Sequence, residues 1–242
     1  MVTLGLPEGI TACLFDLDGV LTDTAAVHKS AWRHVFDQLL EARGLPPFTD
    51  EDYLVYVDGK PRRDGVRDFL ASRSVALPEG NPGDAPERET VAGIGNRKNL
   101  LLQQHLDHDG VQLLKGSTTY LRSLREAGIG TAVVTSSANG EKVIRAAGLE
   151  ELVDVRVDGV VADQQGLSGK PAPDTFLAAA RKLGAEPSAA AVFEDALAGV
   201  AAGRAGGFGF VVGVDRGGQA EALREHGADL VINDLSEMLQ RA

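Results

Sequence analysis

Residues Ile10 to Phe15 form an apolar, partly β-branched run that stops at Asp16-Leu17-Asp18-Gly19. A run of this kind reads as a buried strand that delivers a polar loop at its end, where a reactive group can meet a ligand. Asp16 and Asp18 flank one residue, so in an extended segment both carboxylates leave the same side of the backbone. Held that close they repel, and a cation or a shared proton relieves the repulsion. A hard divalent ion such as magnesium suits the pair, because it takes oxygen ligands and keeps positions open for phosphate. From these two acids alone, a phosphoryl-transfer site and a metal-free acidic turn or simple calcium loop are about equally good readings.

From Val111 onward the chain alternates strands and helices, which implies parallel pairing with helical crossovers. The strand expected over Ile129 to Val134 ends in Thr135-Ser136-Ser137-Ala138-Asn139-Gly140, and the one over Ala189 to Phe193 ends in Glu194-Asp195. Further strands are expected over 153–157, 210–214 and 228–232, with helices over 120–127, 140–147, 175–183 and 196–205. In a parallel sheet all carboxyl ends lie at one edge, so Asp16, Asp18, Thr135, Lys170 and Asp195 can converge though scattered in sequence. A hydroxyl followed by the N–H groups of a helix start makes an anion cradle, and a plain hydroxyl-capped turn fits Thr135 to Gly140 equally well. Lys170 precedes Pro171 and Pro173, which hold its backbone extended and define where its ammonium sits.

Residues 24–110 interrupt this pattern and read as a helical insertion. Ala31, Trp32, Val35, Phe36, Leu39 and Leu40 recur at helical spacing, with Asp23 or Thr24 as cap and Gly44 as stop. Thr24, His28 and Trp32 follow at steps of four and share a face. The stretch Val57-Asp58-Gly59-Lys60-Pro61-Arg62-Arg63-Asp64-Gly65 reads as a cationic loop, suited to clamp a phosphate or simply a solvated turn. Breakers from Pro78 to Pro86 predict a long loop over 74–95, followed by a helix from Asn96 to Leu106. Gly93-Ile94-Gly95 lacks the third glycine and the strand of a dinucleotide site, and His105 to Asp109 reads as a solvated helix end.

The net charge of −11 argues against nucleic acid as a partner, since phosphate backbones are gripped by excess Lys and Arg. It leaves room for a small phosphorylated substrate, which needs only local cations. One cysteine, Cys13, permits no internal disulfide and points to a reducing compartment. No stretch approaches the ~20 apolar residues of a membrane span. The expectation is a cytoplasmic monomer with no membrane or nucleic-acid partner.

Asp16-Leu17-Asp18-Gly19-Val20-Leu21-Thr22-Asp23-Thr24 resembles the first motif of the haloacid dehalogenase superfamily, and Thr135, Lys170-Pro171-Ala172-Pro173-Asp174 and Glu194-Asp195 resemble the other three in order. Within it the chain is similar to the β-phosphoglucomutase family. The resemblance implies a doubly wound α/β core over 1–23 and 111–242 with an α-helical cap over 24–110. It implies Asp16 as the nucleophile that becomes an aspartyl-phosphate, Asp18 as general acid/base, and Thr135 and Lys170 on the phosphoryl group. Magnesium is expected on Asp16, Asp18, Glu194 and Asp195. Thr24, His28, Trp32, Gly59, Arg62, Ser137 and Asn139 are the expected substrate contacts, with Arg62 on the distal phosphate. The implied reaction converts β-D-glucose 1-phosphate to glucose 6-phosphate through the 1,6-bisphosphate; a magnesium-dependent sugar-phosphate phosphatase is the alternative. Asp58 and Ala138 stand where the family often has cations.

Overall fold

The computed structural model describes residues 4–240. The chain divides into two compact units, one running to Asp23 and resuming at Val111, the other spanning Thr24–Gly110.

In the first unit six strands of the described residues form one parallel sheet, in the order β3-β2-β1-β4-β5-β6. They are β1 (Ala12–Phe15), β2 (Gly130–Val134), β3 (Val155–Val157), β4 (Ala190–Glu194), β5 (Phe210–Val214) and β6 (Leu230–Ile232). The expected strands exist, several one or two residues shorter. β1 is central and buried throughout, which explains its unbroken apolar text. Alternation sorts its side chains. Ala12 and Leu14 pack with Ala132, Phe176, Ala179 and Val200 on one face. On the other face Phe15 stacks on Phe193 at 4.6 Å, and Tyr120 meets both rings edge-on.

Chain order steps outward from β1 to β2 and β3, then returns past it to β4, β5 and β6. The carboxyl end of β1 is therefore the topological switch point, where doubly wound sheets open a crevice. Phe15 pairs in register with Val133 on one side and Phe193 on the other. The next residues, Asp16, Val134 and Glu194, thus stand side by side.

In the second unit α1 (Ala25–Glu41) buries all six of the apolar residues that marked it. Thr24 occupies the cap position but its side chain makes no capping bond. α2 (Asp50–Asp52) continues as a π-helical stretch, Tyr53–Val57. α3 (Arg62–Ser72) and α4 (Val91–Asp109) complete the unit. Trp32, Phe36, Phe48 and Phe69 form its aromatic centre, with Phe36 and Phe69 4.2 Å apart.

Two expectations are corrected here. Arg62 to Gly65 are not loop: Pro61, which lacks an N–H, sits at the N-cap and the helix begins at Arg62. α4 begins five residues before Asn96, because the Thr90 hydroxyl caps Gly93 N at 2.9 Å while donating to Asp84 at 2.7 Å. Gly93 lies inside the helix, where a Cβ would come within 2.3 Å of the Arg88 carbonyl. The helix also runs past Leu106 to Asp109, whose carboxylate pairs with His105 at 2.9 Å and His108 at 2.8 Å.

The remaining helices flank the sheet: α5 (Ser117–Glu126), α6 (Gly140–Ala146), α7 (Gly159–Gln165), α8 (Asp174–Leu183), α9 (Leu197–Ala205) and α10 (Ala220–Glu225). No helix of the described residues is long and apolar enough to cross a membrane.

Candidate active site

Asp16 leaves β1 at the switch point and is buried. Lys170 Nζ donates to its Oδ1 at 2.5 Å, to Glu194 Oε1 at 2.5 Å and to the Val134 carbonyl at 2.9 Å. One ammonium thus ties together the ends of the three central strands, and it lies 4.9 Å from the Phe176 ring centroid. Burial alone would lower the Lys170 pKa; the two carboxylates outweigh it and push it above the ordinary lysine range. Burial, opposed by Lys170, pushes the Glu194 carboxyl up to about 7. Two carboxylates and one cation leave the cluster with an excess of negative charge, which a further cation would balance.

Glu194 was expected among the metal-holding acids. Its two oxygens are instead engaged inside the core: Oε1 by Lys170, and Oε2 by Ala196 N at 2.9 Å. Neighbouring residues at a strand end point to opposite sides, so Glu194 turns to Lys170 while Asp195 turns to the loop after β1. Asp195 approaches that loop closely enough that a Cβ on Gly19 would lie 1.9 Å from its Oδ2. Gly19 is also at φ +93°, a backbone region that side chains disfavour. Glycine is required there on both counts. Within the loop Gly19 N donates to the Thr22 carbonyl at 2.8 Å, and the Thr22 hydroxyl to the Leu17 carbonyl at 3.0 Å.

Thr135 follows β2, and its hydroxyl donates to Asp18 Oδ2 at 3.4 Å. It also accepts from Ser137 N at 3.1 Å, and Ser137 Oγ accepts from Asn139 N at 3.2 Å. The hydroxyl-capped turn is therefore present, and two N–H groups of the expected anion cradle are taken up by it. Gly159 N, at the start of α7, donates to the Ser137 carbonyl at 3.0 Å.

Asp16, Asp18, Thr135, Lys170, Glu194 and Asp195 thus gather at one sheet edge, with Ser137 and Asn139 in the adjoining turn. Among the described residues no three His, Cys, Asp or Glu side chains form a metal cluster. Magnesium asks for less: one or two carboxylates, with waters and phosphate completing its shell. The buried Asp16 and Asp195, both oxygen donors beside the Asp18 loop, fit such an ion.

Thr24, His28, Trp32, Gly59 and Arg62 belong to the second unit. There Lys98 Nζ lies 3.0 Å from His28 Nδ1 and 5.3 Å from the Trp32 ring centroid. Burial, with the Lys98 charge adding to it, holds the His28 pKa well below the ordinary range. Lys98 lies in the helix expected from Asn96, but nothing in the sequence ties it to His28, 70 residues earlier. Lys60 pairs with Asp68 at 2.7 Å and Arg63 with Glu79 at 3.2 Å. Arg62 has no ion-pair partner among the described residues, is partly desolvated, and lies along α4, where a Cβ on Gly95 would be 3.2 Å from its Cγ. Gly59, at φ +69°, makes the turn before it.

The model of the haloacid dehalogenase-like hydrolases matches residues 10–207. The β-phosphoglucomutase of Mycobacterium tuberculosis is 54% identical over 246 residues, covering 98% of this chain and 94% of that protein. Hexitol phosphatase A of Escherichia coli is 31% identical, covering 93% and 91%. The solved β-phosphoglucomutase of Clostridium difficile superposes with a TM-score of 0.73 at 24% identity, covering 96% and 97%, which shows the shared fold. With its four motifs gathered at the switch point of a doubly wound sheet, the chain belongs to the haloacid dehalogenase superfamily and, within it, to the β-phosphoglucomutase-like family.

Proposed function

We propose that the chain is a phosphoglucomutase that interconverts β-D-glucose 1-phosphate and glucose 6-phosphate by way of glucose 1,6-bisphosphate. The observation that carries this is the Lys170 ammonium bridging Asp16 and Glu194 at the carboxyl ends of the central strands. It leaves a buried, oriented carboxylate at the switch point as a nucleophile toward phosphorus.

Asp16 attacks the phosphorus of the bisphosphate, forming a carboxylate–phosphorus bond as the sugar oxygen departs. Asp18 gives that oxygen a proton, and takes one from the hydroxyl of the next sugar phosphate as it attacks the aspartyl-phosphate. Lys170 holds the Asp16 carboxylate in place and opposes charge on the phosphoryl oxygens, while the Thr135 hydroxyl keeps Asp18 in register. Magnesium, held by Asp16, Asp195 and the Asp18 carbonyl, would neutralise phosphoryl oxygen charge. Glu194 orients Lys170. In the second unit Arg62 takes the phosphate that is not transferred and His28, Trp32 and Gly59 act on the sugar side, as do Ser137 and Asn139 of the first unit.

Ala138 and Asp58, where a cation would favour a second phosphorylated acceptor, support a second reading in which water accepts the phosphoryl group. One assay separates the two: β-D-glucose 1-phosphate with magnesium and a trace of the bisphosphate. Glucose 6-phosphate without free phosphate supports the mutase, and free phosphate without isomer contradicts it.

A further inference from the structure

The turn after β5, Asp215-Arg216-Gly217-Gly218-Gln219, has no part in the chemistry above. Its side chains nevertheless reach both acid-bearing loops. Arg216 Nε donates to the Gly19 carbonyl at 2.6 Å, and its Nη1 to the Asn233 carbonyl at 2.7 Å. Gln219 Nε2 donates to the Asp195 carbonyl at 2.9 Å. Asp215 shapes the turn itself, its Oδ1 accepting from the backbone N–H groups of Gly217, Gly218 and Gln219 at 3.1, 2.7 and 2.9 Å.

The two residues so held are the pair already in contact, since the Asp195 carboxylate lies against the Gly19 Cα. Asp195 is the first residue after β4 and its side chain turns on one backbone pivot, so a small displacement of its carbonyl re-aims the carboxylate. Gln219 orientation is settled by its acceptor, because a carbonyl oxygen needs the N–H₂ end of the amide. Its Oε1 is buried and accepts no hydrogen bond from the described residues. A leucine in its place would avoid that penalty, so the bond to Asp195 is the contribution that distinguishes the amide.

We infer that Arg216 and Gln219 are positioning residues that lock the Gly19–Asp195 contact and so fix the aim of the Asp195 carboxylate toward the ion. The inference rests on the reading that Asp195 holds the divalent metal. Outer groups that orient a metal ligand typically carry 10–100-fold in metal affinity.

Manganese binding to the resting protein, followed by electron paramagnetic resonance and competed with magnesium, tests it without turnover. Gln219→Leu is expected to weaken Mn²⁺ binding about 10–100-fold, with a metal-free melting midpoint close to that of the parent. Arg216→Ala is expected to weaken it too, and Arg216→Lys, which keeps a donor, to recover at least half of that loss on a logarithmic scale. Parent-like Mn²⁺ affinity in Gln219→Leu and Arg216→Ala overturns the inference, as does a lysine variant as weak as the alanine one. Should Gln219→Leu fail to fold, the exposed Arg216 pair decides alone. Asp195→Asn separates the two levels: loss of Mn²⁺ binding there with unchanged binding in the others defeats only the positioning argument, whereas retained binding in Asp195→Asn defeats the metal assignment beneath it.

Discussion

Lys170 and Asp16 stand 154 residues apart in sequence, and their charged atoms are 2.5 Å apart in a buried site. The ammonium also meets Glu194, so removing it leaves two carboxylates facing one another away from water. Lys170→Met should cost roughly 3–5 kcal/mol, because an uncompensated buried charge is far more expensive than a lost surface pair. Turnover should fall at least about 10²-fold, the usual effect of losing one preorganised charge stabiliser. Thermal melting and steady-state rates on the same preparation check both.

Gly199 backs the other end of that bridge. A Cβ there would lie 1.8 Å from Glu194 Oε1 and 2.0 Å from its carboxyl carbon, and Glu194 is pinned by Lys170 and Ala196. Gly199→Ala should therefore destabilise the protein by about 3 kcal/mol as an overpacked core does, lowering the melting midpoint by roughly 6–12 °C. An unchanged midpoint would mean that Glu194 has another place to go.

His28 is held neutral by burial first and by Lys98 second. Its folded pKa lies below the unfolded value, so the unfolded chain binds the extra proton in that window. The stabilising contribution is complete above about pH 6.5 and is lost as pH falls toward the folded pKa. In a histidine NMR titration His28 should stay neutral below pH 6.5, while His108, raised by its bond to Asp109, titrates above it. Lys98→Met should move the His28 titration upward but leave it depressed, since burial is the larger cause.

Arg62 is proposed to hold the phosphate that stays on the sugar. Arg62→Ala should lower kcat/KM for β-D-glucose 1-phosphate by about 10–100-fold, the worth of charge-assisted hydrogen bonds to a phosphate. Phosphorylation of the protein by acetyl phosphate, which has no second phosphate, should be unchanged. Equal losses with both donors would contradict the role.

What the sequence made legible was the carboxyl edge of the sheet. Asp16, Thr135 and Asp195 each follow an apolar run, and parallel topology alone brings such ends together. The strand order was not legible, because Ala, Val and Phe in β1, β4 and β5 do not say which neighbour each strand takes. Glu194 and Asp195 read as one acidic pair, yet backbone alternation sends one to Lys170 and the other to Gly19. Lys98 was missed, and Arg62 was placed on a loop instead of a helix, for a different reason. Pro61 opens a helix in a stretch that reads as a loop, so the face carrying Arg62 could not be drawn, and the contact of Lys98 with His28, 70 residues earlier, leaves no periodic mark. The bonds of Arg216 and Gln219 to carbonyl groups leave no mark in a sequence, since any exposed turn of this composition reads the same.

Asp16 supplies the oxygen that bonds to phosphorus in the proposed reaction, and the phosphoenzyme tests that most directly. Protein incubated with glucose 1,6-bisphosphate labelled in both phosphates, quenched, and reduced with borohydride should yield homoserine at position 16, with no label or reduction in Asp16→Asn. Label at another residue, or turnover with no acyl-phosphate at Asp16, would contradict it.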